Sequence, residues 1–108
     1  MYKVQLDENL PVKIKYRLQD ECEIFTVTEK KWNSLENGDL ITAMQENNFD
    51  FLITSDKNLR YQQNLEKYSI NFIILNVNDN NYESILPLIS KIKIVLQNKD
   101  KVKLVVIE

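Results

Sequence analysis

Short apolar runs alternate with segments of helical periodicity along the whole chain. The apolar runs are rich in β-branched and aromatic residues and predict five β-strands, at residues 2–6, 23–27, 49–54, 70–77 and 102–107. In the first run apolar and polar side chains alternate, whereas the third is apolar almost throughout, which is typical of a central strand covered on both faces. The chain is therefore expected to be built around a sheet.

Four segments of helical character separate these strands. Three of them carry apolar residues three or four positions apart, which form one buried stripe on a helix. The stripes are Leu10, Ile14 and Leu18; Leu40, Ile41 and Met44; and Ile85, Leu88, Ile89, Ile92 and Leu96. A polar segment at 59–68 predicts one more short helix. Asn9, Asn37 or a neighbour, and Ser84 are the predicted helix caps, and a loop at 28–36 contains the only tryptophan.

Strands that alternate with helices favour a mostly parallel sheet with helices on both faces. We therefore predict one α/β domain over residues 1–108, with three α/β/α layers and five strands; a chain of this length can bury a real core. No apolar run approaches the ~20 residues that span a bilayer, and no leader opens the chain. These observations predict a cytoplasmic protein with no membrane association.

The amino-acid composition excludes several classes of catalytic and binding site. The chain has no histidine, one glycine (Gly38) and one cysteine (Cys22), which excludes Ser-His and Cys-His catalysis, the usual zinc sites and glycine-rich phosphate loops. A net charge of -2 argues against nucleic-acid binding by bulk charge alone, although a local basic patch remains open. Carboxylates, amides, hydroxyls and lysines remain, and they suit hard cations such as Mg²⁺ or Mn²⁺.

Acidic residues follow two predicted strands and lie near one helix start. Asp7 and Glu8 come after the first strand and Asp56 after the third; Glu36 and Asp39 lie near the second helix. The carboxyl ends of parallel strands share one edge, so the first and third groups should meet. Carboxylates ~4 Å apart repel by ~4 kcal/mol at an effective dielectric of 20, so such a cluster needs a cation or a shared proton. The alternative is that each acid only stabilises a helix start, by ~0.3–1 kcal/mol.

Weaker candidates surround these acids. Thr54 would hydrogen-bond a metal-bound water or form a local turn, and Asn58 would complete the metal shell or cap the next helix. Five side chains are candidates for contacts with an RNA base or phosphate: Lys57, Arg60, Gln62, Gln63 and Trp32. Their alternatives are a solvated helix face and, for the tryptophan, a cover for the sheet edge.

Four motifs occur in the order of a known family. They are residues 6–11 (LDENLP), 26–27 with Trp32 and Asn37-Gly38, 52–58 (LITSDKN) and 61–65 (YQQNL). With them the chain resembles the PIN-like domains related to VapC-type toxin ribonucleases, in the branch that opens with Asp-Glu-x-Leu-Pro. The resemblance implies an α/β/α fold and a magnesium-dependent ribonuclease site, often in the toxin of a toxin–antitoxin pair. It implies Asp7 as the main metal ligand, Asp56 as the second, and Thr54 and Glu8 in supporting roles.

The chain departs from this family in the middle. Relatives often place an acid where Asn37 aligns, and the nearest acids here are Glu36 and Asp39. Two alternatives follow. Either Asp39, one turn along, completes the catalytic metal set with Asp7 and Asp56, with Asn37 and Glu36 in support, or the site binds metal weakly.

Three functions follow from these observations. The first is a metal-dependent endoribonuclease that cleaves RNA at a magnesium or manganese site, with a cognate antitoxin as its partner. The second is a catalytically silent PIN-like module that binds a partner protein. The third is a receiver-like signalling domain, although residues 102–108 end without the lysine that such a site requires. The RNA target, the identity of any antitoxin and the oligomeric state, with a homodimer among the options, are left open.

Overall fold

Five parallel strands form one sheet in the order β2-β1-β3-β4-β5. The computed structural model describes all residues from 1 to 108. The strands are β1 Lys3–Leu6, β2 Glu23–Phe25, β3 Phe51–Thr54, β4 Asn71–Leu75 and β5 Leu104–Ile107. The prediction of a single α/β domain with a five-stranded sheet is confirmed, and the sheet is parallel throughout.

Helices connect every pair of consecutive strands. They are α1 Lys13–Leu18, α2 Asn37–Glu46, α3 Leu59–Gln62, α4 Tyr82–Ile85 and α5 Ile89–Gln97. A 3-10 turn joins α4 directly to α5 and contains Pro87, so these pieces form one helical segment, and a further 3-10 turn follows α3 at Leu65–Lys67. No helix has the length and apolar character needed to cross a bilayer.

The helices divide into two layers, and each layer closes a separate apolar core. Helices α1 and α5 pack with Val4, Leu6, Phe51 and Ile53 on one face of the sheet. The other face packs against α2, α3 and the turn after α3. Side chains alternate between the faces of a strand, so neighbouring residues of β3 serve opposite cores. The three predicted layers are therefore present.

The position of α5 gives one connection an unusual hand. The steps from β3 to β4 and from β4 to β5 run in the same direction across the sheet, yet their helices lie on opposite faces. These two connections therefore have opposite hands. The connections from β1 to β2 and from β2 to β3 share the hand of the β3–β4 connection. Since almost all such crossovers have one hand, the β4–β5 connection is the exception.

The first strand is more deeply buried than its sequence pattern suggests. Alternation of apolar and polar residues is typical of a strand with one face in water. In the structure β1 lies between β2 and β3 with a helical layer on each side, and Gln5 is fully buried. A polar residue in an alternating strand pattern is either exposed to solvent or buried, and the pattern alone does not distinguish the two cases.

The predicted helix starts were placed less well than the buried stripes. Helix α1 begins at Lys13, four residues beyond the predicted cap Asn9, and α4 begins at Tyr82, before Ser84. Neither helix has a side-chain cap, and the Ser84 hydroxyl instead donates a hydrogen bond to Asp79. The apolar stripes are buried as predicted, because periodicity reports the face of a helix more firmly than its ends.

The segment predicted as a single helix at 59–68 is broken. Gln63 has an extended backbone, which separates α3 from the 3-10 turn that follows. Leu59 and Leu65 are both buried. Six helical residues rotate the chain by about 240°, so a straight helix would turn one of these two leucines away from the core. The break at Gln63 allows both leucines to face the core.

The thiol of Cys22 is closed off in the core beside α1. Its side chain is 1% exposed, and its Sγ atom lies 3.5 Å from the carbonyl oxygen of Leu18. Burial, with a smaller contribution from the negative charge of Glu21, raises the pKa of the Cys22 thiol to about 12.

We expect the folded protein not to react with a chromogenic disulfide reagent at pH 8, and the urea-unfolded protein to react fully. Rapid reaction of the folded chain would contradict this burial.

Candidate functional site

Two of the predicted acids, Asp7 and Asp56, lie at the edge of the sheet where β1 and β3 end. Strand β1 has β2 on one side and β3 on the other, so the chain direction across the sheet reverses at this strand. In open α/β sheets, ligands bind outside the carboxyl ends of the strands at such a reversal. Asp7 directly follows β1, and Asp56 comes two residues after β3.

The backbone and carboxylate of Asp7 are both fixed by neighbours. Its N–H donates to the carbonyl of Ile53 at 2.9 Å, which extends the pairing of β1 with β3 by one residue. One carboxylate oxygen, Oδ2, accepts a hydrogen bond of 2.5 Å from the Thr54 hydroxyl, and Oδ1 accepts one of 2.8 Å from the N–H of Glu8. The carboxylate is therefore held at the sheet edge while remaining partly exposed.

Thr54 links the two acids. Its hydroxyl is fully buried and, while donating to Asp7, accepts a hydrogen bond of 3.0 Å from the N–H of Asp56. The Asp56 carboxylate accepts the N–H of Asn58 at 3.0 Å through Oδ1. A single hydroxyl thus links the Asp7 carboxylate to the backbone of Asp56, at the carboxyl ends of two neighbouring strands.

The start of α2 contributes an amide to the site. Glu36 precedes α2, and Asn37 is its first residue; the Asn37 side chain donates to Oδ2 of Asp56 over a long 3.4 Å. Glu36 and Asp39 are exposed, and neither caps the helix through a side-chain hydrogen bond. Residues two apart on a helix do not share a face. Asp39 therefore does not occupy the position beside Asp56, which belongs to Asn37.

The structure assembles two carboxylates at this edge, with no third. No group of three acidic, histidine or cysteine side chains lies close enough to hold a metal ion. The set predicted from Asp7, Asp39 and Asp56 is therefore not formed as such. Two carboxylates with an adjacent amide still fit Mg²⁺, which commonly uses one or two carboxylates and fills its other positions with water.

Most of the weaker candidates lie on α3 or directly beside it. The Asn58 side chain makes no helix cap, and its backbone N–H, described above, is what reaches Asp56. Lys57, Arg60 and Gln62 are exposed near α3, and Gln63 accepts a hydrogen bond from Tyr68.

The side chain of Trp32 takes part in the packing of the apolar core under α2. Its ring lies 5.6 Å from that of Phe49 and packs against the core under α2. It is half-buried, and the ammonium of Lys30 lies 5.3 Å from the centre of its ring. The alternative of a tryptophan that covers the sheet edge agrees with this packing.

The acidic edge is shallow. The cavity beside Asp7, between the ends of β1 and β2, has a volume of about 50 Å³ and includes Glu8, Thr28 and Asn33 in its wall. The largest hollow, about 510 Å³, lies at the opposite edge beside Tyr2 and contains neither Asp7 nor Asp56. Sites that enclose a metabolite usually span roughly 300–1,000 Å³. The acidic edge therefore encloses too little volume to surround a metabolite.

Sequence reasoning missed one polar residue close to this edge. Gln5 lies two residues before Asp7, is fully buried, and its Oε1 atom has no hydrogen-bond partner. An unsatisfied buried acceptor costs about 1–3 kcal/mol. The only signal in the sequence is a glutamine in the middle of a predicted strand.

Comparisons with known proteins add no relative. No protein-family model, curated protein or solved structure matches the chain.

Proposed function

We propose that this protein is a metal-dependent endoribonuclease of the PIN-like class that cleaves RNA phosphodiesters with Mg²⁺ or Mn²⁺ held by Asp7 and Asp56. The observation that carries the proposal is the pair of acids joined through Thr54 at the carboxyl ends of β1 and β3. The resemblance of the motifs around these residues to those of PIN-like domains also supports it. Each of the three lies inside one of those motifs.

The charge balance at this edge favours a cation. Neither Asp7 nor Asp56 forms an ion pair with a lysine or arginine; the three ion pairs of the structure all involve other acids. Their hydrogen-bond donors are a hydroxyl, backbone N–H groups and one amide, none of which carries a full charge. A pair of acids without a positive partner suits a divalent ion, which neutralises both and needs oxygen ligands.

Each residue has a separate role in this proposal. A divalent ion supplies Lewis-acid stabilisation of the phosphate and a nucleophilic water. Asp7 and Asp56 hold the ion, and Thr54 fixes the direction of the Asp7 carboxylate. The Oδ2 atom of Asp56 has only the long contact from Asn37, so it is the oxygen of this carboxylate that would bind the ion. The chain has no histidine, so the proton of the attacking water would pass to another carboxylate or to bulk water.

The shape of the edge favours a polymer over a small metabolite. Only about 50 Å³ is enclosed beside Asp7, so the substrate must gain its contacts from the surrounding surface. Lys57 and Arg60 are exposed near α3, and the Arg60 guanidinium lies over the ring of Tyr61, which is 75% exposed. This cation and aromatic face suit a phosphate and a base of single-stranded RNA. By the family resemblance, we further propose a toxin paired with an antitoxin.

Metal removal tests the proposal directly. Cleavage of a fluorescent single-stranded RNA should fall to background after treatment with EDTA and return when Mg²⁺ or Mn²⁺ is added in excess. Calcium is the matched control, since it binds carboxylates but demands less strict geometry and supports such chemistry poorly. Cleavage that is unchanged after EDTA, or no cleavage of any RNA by protein that binds Mn²⁺, would contradict a metal-dependent ribonuclease.

A second function is favoured by the amide at the start of α2. Asn37 contacts Asp56 where relatives often place an acid, and no third acid joins the pair. These observations support a catalytically silent PIN-like module that binds a partner protein. Calorimetry separates the two functions: the silent module shows no heat of Mg²⁺ binding at millimolar concentration, while the enzyme does.

The receiver-like function gains no support. Its site requires a lysine at the end of the last strand, and β5 contains none. Lys103 precedes β5, and its ammonium donates to the carbonyls of Tyr68 and Ile70, near the start of β4. That position is at the edge of the sheet opposite Asp56.

A further inference from the structure

A larger hollow lies on the same edge of the sheet as the acidic pair, where β4 ends and the helical segment of α4 and α5 begins. Its volume is about 370 Å³, and its wall consists of Asn76, Val77, Asn78, Asp79, Ser84 and Leu88. Sites for small ligands usually span roughly 300–1,000 Å³. This hollow therefore has the room that the cavity beside Asp7 lacks.

The order of the strands places this hollow next to Asp56. Strands β3 and β4 are paired, and Asp56 and Asn76 each come two residues after the last pair of their register. Neighbouring strands lie about 4.8 Å apart. The hydroxyl of Ser55, the residue before Asp56, also donates a hydrogen bond of 2.5 Å to Oδ1 of Asn80. An RNA strand that crosses Asp56 would therefore bring a neighbouring base to the hollow.

The carboxylate of Asp79 is held in one orientation at the wall of the hollow. Its Oδ1 atom accepts hydrogen bonds from the Ser84 hydroxyl at 2.7 Å and from the N–H of Asn81 at 2.9 Å. These bonds, the one from Ser84 first, lower the pKa of Asp79, so the carboxylate is ionised at neutral pH. Its Oδ2 atom accepts no hydrogen bond from the protein. Because the Ser84 proton is directed at Oδ1, Oδ2 and the Ser84 oxygen are two neighbouring acceptors with room for donors from a ligand.

The charge of the hollow disfavours a phosphate and favours a base. No lysine or arginine lines it, and Asp79 takes part in none of the ion pairs of the structure. A phosphate would meet the Asp79 carboxylate with no cation to offset the repulsion. A base carries no charge, its ring gains apolar contact from Val77 and Leu88, and its N–H groups suit the two free acceptors.

We propose that this hollow binds a guanine base of the RNA beside the cleaved phosphodiester, with the guanine N1–H and 2-amino group donating to Oδ2 of Asp79 and the oxygen of Ser84. The inference rests on the proposed ribonuclease function and adds a base preference to it. Guanine is the base that presents two adjacent donors on its Watson–Crick edge. Adenine and cytosine present a ring-nitrogen acceptor there, and uracil places two carbonyl oxygens around its single N–H, so each would turn an acceptor toward the carboxylate.

The first measurement is binding of guanosine monophosphate to the whole protein without divalent metal, followed by NMR. Inosine monophosphate, which lacks only the 2-amino group, and adenosine monophosphate are the matched ligands. Guanosine monophosphate should shift the amide signals of Asn78, Asp79 and Ser84. It should bind about tenfold or more tightly than inosine monophosphate, since the latter leaves one acceptor unpaired. Adenosine monophosphate should bind more weakly still.

The second measurement uses Asp79→Asn, which keeps the size of the side chain and an oxygen to accept from Ser84 and Asn81. Its amide nitrogen replaces the free acceptor, so the affinities for guanosine and inosine monophosphate should become equal within about twofold. Asp100→Asn is the matched control, because Asp100 is also exposed but lies in the turn before β5, at the opposite edge of the sheet. It should keep the preference of the wild type.

Equal affinity of the wild type for the three nucleotides, or no shift at the hollow, would overturn the guanine site, while metal-dependent cleavage of RNA would still support the ribonuclease. An unchanged preference in folded Asp79→Asn would also overturn it. If that variant does not fold, Ser84→Ala removes the second acceptor and repeats the comparison, with the same outcome expected. A protein that prefers guanosine monophosphate but cleaves no RNA would overturn the ribonuclease and leave a guanine site.

Discussion

Asp7→Asn should lower kcat/KM for RNA by roughly a hundredfold or more and leave the fold intact. The substitution keeps the size of the side chain and its ability to accept from Thr54, but it removes the charge that holds the ion. Metal stabilisation of the transition state is worth several kcal/mol, and each 1.36 kcal/mol is a tenfold change in rate. Initial rates at saturating Mg²⁺, together with circular dichroism, measure both parts of the prediction.

Glu8→Gln provides the matched control for Asp7→Asn. Glu8 is the next residue, is exposed, and contributes its backbone N–H to the Asp7 carboxylate. Both variants lose one negative charge at almost the same place, so they change long-range attraction for RNA equally. We expect Glu8→Gln to retain activity within a fewfold of wild type. An equal loss of kcat/KM in both variants would indicate a long-range electrostatic effect on RNA binding. Full activity of Asp7→Asn would exclude Asp7 as the metal ligand.

Phe51→Ala should destabilise the protein by about 3–5 kcal/mol, the usual cost for an aromatic residue in a core. Phe51 is fully buried in β3, and its ring meets that of Tyr2 edge to face at a centroid distance of 5.2 Å. Domains of this size have a total stability of about 5–15 kcal/mol, so the loss is a large share. Urea unfolding followed by fluorescence measures it.

Tyr61→Ala is the control for Phe51→Ala. Tyr61 is 75% exposed, and its ring contacts the guanidinium of Arg60 rather than the core. The free energy of unfolding should change by no more than about 0.5 kcal/mol, as is usual for surface positions. A small effect of Phe51→Ala, or a large effect of Tyr61→Ala, would mean that the core is packed differently around β3.

The parts of the site that follow strands were predictable, because the carboxyl ends of parallel strands share one edge. Once β1 and β3 are recognised, the meeting of Asp7 and Asp56 requires only that the two strands be neighbours. The role of Thr54 needed the structure, since a threonine at a strand end is equally consistent with a turn. The family resemblance gave the same acids and added the expected reaction.

The part of the site that depends on a helix start was not predictable from the pattern. Each residue turns a helix by about 100°, so the difference between Asn37 and Asp39 moves a side chain to the other side of α2. Apolar periodicity fixes the buried stripe of Leu40, Ile41 and Met44 but leaves the first turn uncertain by a residue or two. Gln5 was missed for a related reason, since alternation alone does not tell a buried polar residue from a solvated one.

The unusual hand of the β4–β5 connection ties the two ends of the chain together. Because α4 and α5 lie over the same face as α1, the last third of the sequence closes the core that contains Val4 and Leu6, directly behind Asp7. The acids and their hydrogen-bond partners all come from the first 58 residues. Evolutionary change in α5 would therefore act on the acidic edge through the packing behind β1 and β3, and loss of that helix would loosen Asp7 without removing any of its hydrogen-bond partners.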